Sequence, residues 1–196
     1  MTDHHDDAPI AAQVRELEAL LEQKGLLDPR ELDQTLEAFA ANASPANGFR
    51  VVARAWVDGD FKAKLLDNAN EALPLIGLSM GGGLQVQTLK VVENTPDVHN
   101  VIVCTLCSCY PLGLLGPSPT WYKSPAYRSR VVSHPREVLA QFGFTPPDDT
   151  EIRVWDANAE MRYLVLPQRP AGTEHLTEEE LRQRVTRNGL IGTAPV

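Results

Sequence analysis

Cys104, Cys107 and Cys109 are the only cysteines in this chain of 196 residues, and they fall within six positions. The spacing C-x-x-C-x-C is too tight for a loop-closing disulfide and well suited to wrapping one metal ion. Only Ser108 separates the last two, so the backbone amides of Ser108 and Cys109 lie between the sulfurs. An ion bound there can take three sulfurs and two amide nitrogens, leaving a sixth position open. An amide nitrogen ligates only when deprotonated, which demands a strongly Lewis-acidic ion in a strong field. Thiolates select soft or borderline metals, and an open position signals catalysis. Low-spin trivalent cobalt and iron meet these demands. Zinc is the commoner rival; it wants four ligands, and His99 is the nearest imidazole for a Cys3His set. A third reading is redox, with Cys104 and Cys107 as a C-x-x-C pair. Taken alone, the cysteines rank a structural zinc or a redox pair above the trivalent metal.

The elements that must carry this cluster are legible around it. Ile10, Val14, Leu17 and Leu21 share one face of a helix over 9–24, with Gly25 as its stop. Asp28, Pro29 and Glu31 read as a capping box with proline at the first helical position, starting a helix that runs to about Ala41. Ser44-Pro45 starts another, carrying Val51, Val52, Ala55 and Trp56. A fourth is expected from Asp60 to about Leu73, ended by Pro74. From Leu75 the pattern changes to strands, with Gly81, Gly82 and Gly83 as a flexible turn; no Lys-Ser or Lys-Thr follows to make a phosphate loop. Strands are expected at 86–93 and 99–103, the second delivering the cysteines at its end. Ser124-Pro125 and His134-Pro135 read as successive helix starts. Residues 151–156 and 161–166 are expected to form a hairpin around Ala157, Asn158 and Ala159. Thr177 with Glu180 caps a last helix.

The residues around the cysteines resemble a known family. The run Val103 to Cys109 (V-C-T-L-C-S-C) is similar to the metal claw of nitrile hydratase α subunits and of the metal-bearing subunit of thiocyanate hydrolase. Val92 to Pro96 with His99 and Asn100 precede the claw in the family's manner, and Pro119 to Ser124, Tyr127, Arg128 and Arg130 to Val132 follow it. Glu151 to Val154, Arg162, Tyr163, Val165 to Thr173 and Leu190 to Gly192 extend the likeness, which spans roughly residues 50 to 193.

That resemblance implies a function. Cys104 would be the axial thiolate, Cys107 and Cys109 equatorial ligands oxidised to sulfinate and sulfenate, and the amide nitrogens of Ser108 and Cys109 would complete the claw. Oxidation spreads sulfur charge onto oxygens that accept from cationic groups. In the family those are arginines of a separate β subunit, and a cobalt-delivering activator protein matures the centre. Thr105, where iron-type members typically carry serine, points to one cobalt(III) per chain rather than iron(III). The implied reaction is hydration of a small-molecule nitrile to its amide, with the metal as Lewis acid. Cys109, as sulfenate, and Ser108 are the candidate catalytic groups. Gln85 lines up with a family glutamine that approaches the metal, although Val86-Gln87 follows it where members often read Gly-Glu. After the claw, family members often place an indole and a proline where this chain has Leu112 and Gly113, implying a roomier wall and a bulky heteroaromatic or nucleoside nitrile. Ser118-Pro119 and Tyr110-Pro111 echo the thiocyanate hydrolase branch, so thiocyanate hydrolysis is the alternative reaction. A non-catalytic zinc or thiol domain is the alternative without chemistry.

The fold class expected is α/β (α+β): an N-terminal helical arm over 1–43, then a layered α-β-β-α body over 44–196 with the claw in a loop after a strand. A chain of this length buries about 70% of its unfolded surface, enough for one core. No apolar run approaches a membrane span, and no signal-peptide pattern opens the chain, so a cytoplasmic location is expected. A net charge of −8 without a basic stripe argues against nucleic acid and suits a partner with complementary arginines. His4 and His5 read as a polar start, His134 as a helix cap and His175 as a loop residue. Trp121 and Tyr122 read as core, and Tyr127, Arg128 and Arg162 as braces of the claw or of the body.

Overall fold

A computed structural model describes residues 8–80 and 87–196, so the expected Gly81–Gly83 turn, His4 and His5 lie outside the described residues. The chain divides after Ala41 into two compact units. In the first, α1 (Ala8–Gln23) and α2 (Pro29–Asn42) are joined through Gly25, whose φ of 65° is the left-handed conformation that ends a helix. The Asp28 carboxylate accepts from the Arg30 N–H at 2.8 Å and caps α2. Ile10, Val14 and Leu17 form an exposed face on α1.

The second unit begins with α3 (Pro45–Val57), capped by the Ser44 hydroxyl, which accepts from the Ala46 N–H. The single helix expected over Asp60–Leu73 is instead three pieces: α4 (Gly59–Asp67), α5 (Ala69–Ala72) and a 3-10 turn, Leu73–Ile76. Asn68 breaks it. Its backbone is extended (φ −141°, ψ 94°), and its amide side chain donates to Glu71. The break lets Asn70 reach the first strand, where it accepts from the Leu89 N–H and donates to the Gln87 carbonyl. Pro74 sits inside the 3-10 turn, where a missing N–H costs nothing.

Four strands follow: β1 (Thr88–Glu93), β2 (Val98–Val103), β3 (Glu151–Asp156) and β4 (Met161–Leu166). The expected hairpin of β3 with β4 does not form. β4 pairs in parallel with β1, and β3 in parallel with β2. The Asn158 side chain accepts from the Glu160 and Met161 N–H groups, making the connection a corner between two strand pairs. The reason lies in burial: Leu164, Val165 and Leu166 are all buried, a run that suits a strand covered on both faces. β3 carries only exposed and half-buried residues.

Helices sandwich the strands, with α4 and α5 on β1 and α9 (Pro135–Gln141) on β3. Between β2 and α9 run three short helices, α6 (Leu112–Leu115), α7 (Thr120–Lys123) and α8 (Pro125–Ser133). The chain closes with α10 (Glu178–Arg182), started by the expected Thr177–Glu180 capping box, and α11 (Arg187–Ile191), packed on α3 and β4. One core joins Val51, Val52 and Leu65 of the helices to Val101, Ile102, Val103, Leu164 and Val165 of the strands.

Candidate metal centre

β2 is buried at every position from His99 to Val103 and delivers Cys104, itself 1% exposed, to the surface loop that follows. Its start is locked by a buried polar network. His99 pairs through Nε2 with the Gly192 carbonyl at 2.8 Å and through Nδ1 with Asn94 Nδ2 at 3.2 Å. Because Asn94 Nδ2 can only donate, the imidazole is neutral with its proton on Nε2. Burial holds its pKa below the ordinary value, against the opposing pull of the Gly192 carbonyl. Asn100 donates to the Glu93 carbonyl and to Asn94, and accepts from the Trp155 indole. Both nitrogens of His99 are therefore committed, which removes it as a fourth zinc ligand.

The three cysteines do converge. The Sγ atoms of Cys104 and Cys107 stand 3.3 Å apart, those of Cys107 and Cys109 3.1 Å apart, and all three lie within 4.8 Å of one another. With metal–sulfur bonds of about 2.3 Å, sulfurs at right angles stand about 3.3 Å apart, and sulfurs at the tetrahedral angle about 3.8 Å. The Cys104–Cys107 and Cys107–Cys109 separations lie nearer the right-angled value than the tetrahedral one, and the three sulfurs together could hold one ion. The thiols are free rather than disulfide-bonded. The Cys107 N–H donates to Cys104 Sγ at 3.3 Å, and the N–H groups of Ser108 and Cys109 face the Cys107 sulfur. Hydrogen bonds from Cys109, then Cys104, draw the Cys107 thiol down to about 7. Burial and then the Cys107 thiol push Cys109 up to about 12, against the attraction of Arg162.

Braces around the loop come from distant elements. Tyr127 donates its hydroxyl to the Ile102 carbonyl at 2.6 Å, and Tyr122, fully buried, donates to the Cys109 carbonyl at 2.9 Å. Trp121, half-buried, packs edge-on against Tyr127 and Phe142 at the margin of the core. Arg128 donates to the Cys107 carbonyl at 3.3 Å. Arg162 is buried, donates to the Asn158 carbonyl, and leaves its Nε without a hydrogen-bond partner. Ser108 and Leu106 are exposed, Leu106 to 87%. A recess of about 370 Å³, lined by Thr105, Pro125, Arg128, Ser129 and Val132, opens beside the loop. His134 stands at the start of α9 but caps nothing; its ring pairs with Ser133. Gln85 lies outside the described residues. One residue of the site was not singled out from sequence: Asp156, whose carboxylate grips Thr105 from 51 positions away. No local pattern marks it.

Residues 8–194 match the family model described as nitrile hydratase, alpha chain. The chain belongs to this nitrile hydratase alpha-chain family. Among curated relatives, the low-molecular weight cobalt-containing nitrile hydratase subunit alpha of Rhodococcus rhodochrous is 52% identical over 94% of this chain and 88% of that protein. Thiocyanate hydrolase subunit gamma of Thiobacillus thioparus is 38% identical over 95% of this chain and 83% of its own length. Among solved structures, a double mutant of the Fe-type nitrile hydratase from Comamonas testosteroni superposes with a TM-score of 0.88 at 38% identity, covering 99% of this chain and 92% of that one. Membership of the nitrile hydratase alpha-chain family agrees with the mixed α/β fold and with the cysteine loop after β2. No helix among the described residues is long and apolar enough to cross a membrane.

Proposed function

We propose that this chain is the metal-bearing α subunit of a nitrile hydratase, converting a nitrile to the corresponding amide at one trivalent cobalt ion per chain. The observation that carries the reading is the convergence of the Cys104, Cys107 and Cys109 sulfurs within 4.8 Å of one another, with the Ser108 and Cys109 amides facing the Cys107 sulfur. Cobalt rather than iron follows from Thr105 and from the cobalt-containing names of the relatives most similar in sequence. When bound, the ion supplies Lewis acidity that activates a nitrile or water.

The chain's own residues set the conditions for that chemistry. Cys104, buried just past the end of β2, would hold the ion as a thiolate from the protein side; Cys107 and Cys109, on the more exposed side, are the ones within reach of oxidation to sulfinate and sulfenate. The Cys109 sulfenate oxygen is the group that would take a proton from water or attack the nitrile carbon. Ser108, exposed between the two, offers a hydroxyl beside that oxygen. The family resemblance alone assigns Gln85 a supporting polar role in this chemistry. Arginines from a β subunit or β-like subunits would meet the new oxygens, and an activator protein would deliver cobalt. The cytoplasm suits an unoxidised apo loop awaiting its metal.

Leu112 and Gly113 favour a bulky heteroaromatic or nucleoside nitrile, because an aliphatic side chain replaces an indole beside the claw. Acetonitrile turned over faster than such a nitrile would overturn that assignment. Thiocyanate hydrolysis is the second reading, favoured by the 38% identical thiocyanate hydrolase subunit gamma. Assays of nitriles and of thiocyanate on the same preparation separate the two.

The deciding experiment is metal analysis with tandem mass spectrometry of the Cys104–Cys109 peptide, on protein expressed with its partner and cobalt. About one cobalt per chain, with two oxygens added at Cys107 and one at Cys109, is expected. Zinc with three unmodified thiols would return the chain to the non-catalytic reading.

A further inference from the structure

Helix α8 carries two arginines and no acidic residue. Arg130 pairs with Glu137 of α9 at 3.0 Å, whereas no carboxylate among the described residues stands within ion-pair distance of Arg128. Arg136 and Arg169, also without a carboxylate, each give several N–H donors to backbone carbonyls. Arg128 makes one bond, from Nη1 to the Cys107 carbonyl at 3.3 Å, and its Nε, closed off from water, has no partner. Enclosed donors are normally paired, so this one calls for an acceptor from outside the chain. Arg128 lines the recess of about 370 Å³ beside the cysteine loop. None of the other lining residues is acidic, and the Asp156 carboxylate that meets Thr105 is taken up by the two Thr105 donors. Val132 in the recess, and Leu106, next to Thr105 in the chain, are exposed apolar side chains. An unanswered guanidinium among uncovered apolar side chains is the make-up of a protein interface with an arginine anchor.

We propose that this recess is the socket for one carboxylate side chain, an Asp or Glu, of the partner β subunit, and that Arg128 holds it. The guanidinium suits two tasks at once. With Nη1 on the Cys107 carbonyl, Nε and Nη2 are left as the edge that grips both oxygens of a carboxylate in parallel bonds. A carboxylate entering the recess meets Nη2 first and reaches Nε after a small turn of the arginine. A side chain rather than a free anion is the occupant for two reasons. The chain carries a net charge of −8, whose long-range field repels small anions, so an acidic group settles here only on a surface that makes further contacts. Leu106 and Val132 supply those contacts, which a small ion would leave uncovered. The sign of the pairing is opposite to that expected at the sulfurs, where the partner brings arginines. Neighbouring contacts of opposite sign fix one docking register and reject others. This rests on the reading of the chain as one subunit of a nitrile hydratase.

The test compares Arg128→Ala, Arg128→Gln and Arg128→Lys with the wild type, each expressed with the partner subunit. Dissociation of the complex on dilution is followed by analytical ultracentrifugation, on cobalt-loaded and on metal-free material, so that weaker assembly is not mistaken for lost metal. Arg128→Ala and Arg128→Gln should raise the dissociation constant about tenfold or more, as truncating one member of an enclosed charge pair does. Arg128→Lys keeps the charge and should fall between them and the wild type. Its amine also allows a direct reading: a water-soluble carbodiimide should condense it with the facing carboxylate to an amide, the water going to the reagent. Tandem mass spectrometry should then place the link between position 128 and one Asp or Glu of the partner, and this link decides the matter should Arg128→Ala fail to fold. Arg128→Ala assembling as tightly as the wild type would overturn the proposal. So would wild-type assembly by Arg128→Gln, which would make the residue a neutral brace of the Cys107 carbonyl. A carbodiimide link confined to this chain, or no link at all, overturns it too. Protection of Arg128 from phenylglyoxal by acetate, equal to that given by the partner, would make the recess a small-anion site instead. A complex that assembles through Arg128 yet holds no cobalt and hydrates no nitrile would sink the functional reading and leave the socket standing.

Discussion

Gly192 lies directly against the carbonyl of Asn100. A Cβ at Gly192 would fall 2.9 Å from the Asn100 carbonyl carbon and from Val101 Cα, and closer still to the Asn100 oxygen. Its φ of 89° is also left-handed, which only glycine adopts without strain. The contact seats the end of α11 on β2, four residues before Cys104 on the buried strand. Gly192→Ala must push the strand away or distort the turn, at a cost of about 3 kcal/mol or more. Urea denaturation of the metal-free chain checks this; a variant within experimental error of the wild type would show that the turn moves freely.

The same turn makes stability depend on pH through His99. Burial depresses the imidazole below its ordinary value of 6.5 while its Nε2–H donates to Gly192. Above 6.5 the folded and unfolded chains both carry neutral His99, and its contribution is complete. As pH falls from 6.5 toward the lowered folded value, the unfolded chain takes up a proton that the folded chain refuses, and stability is lost. Urea midpoints at about pH 7.5 and about pH 5.5 should therefore differ more for the wild type than for His99→Gln, which cannot titrate. Equal differences would place the pH sensitivity elsewhere.

The sulfurs divide by burial, and their variants should divide too. Cys107 is exposed, so Cys107→Ala should leave metal-free stability within about 0.5 kcal/mol of the wild type. Cys104 is buried at the end of β2, and Cys104→Ala should cost about 1 kcal/mol or more through lost packing. Both should abolish metal retention. Chemical denaturation and metal analysis on one set of samples read the two effects, and cobalt at wild-type occupancy in either variant would contradict the three-sulfur site.

Two tyrosine hydroxyls pin backbone carbonyls on either side of Cys104. Tyr127→Phe frees the Ile102 carbonyl and Tyr122→Phe the Cys109 carbonyl. Tyr127→Phe leaves a buried acceptor unpaired, at a cost of about 1–3 kcal/mol, and Tyr122→Phe, whose partner carbonyl is only part-buried, should cost less. Tyr122→Phe should also loosen the metal, because its carbonyl belongs to Cys109, one of the three proposed ligands. Faster cobalt loss to a chelator from Tyr122→Phe than from Tyr127→Phe is the expected order.

What the chain order alone determined is local. The cysteine spacing placed three sulfurs and two amides within one turn, and Ser44, Ser124 and Thr177 marked helix starts because a cap bonds to residues two or three positions on. Gly25 ended α1 for the same short-range reason. The choices that failed were long-range. β3 and β4 adjoin in sequence, yet each pairs with a strand dozens of residues upstream: β4, ending in three buried residues, lies beside β1, and β3, with three exposed residues, lies beside β2. The Asp60–Leu73 segment broke at Asn68 because Asn70 is required by β1. His99, a plausible ligand by proximity along the chain, is turned away by Asn94 and Gly192, ninety-three residues distant in the latter case. Asp156 reaches Thr105 only because a parallel ladder brings the ends of β2 and β3 together. The donor atoms of the centre are thus written in six consecutive residues, while their orientation is decided by strand pairing, since hydrogen bonds and burial act on distance in space rather than along the chain.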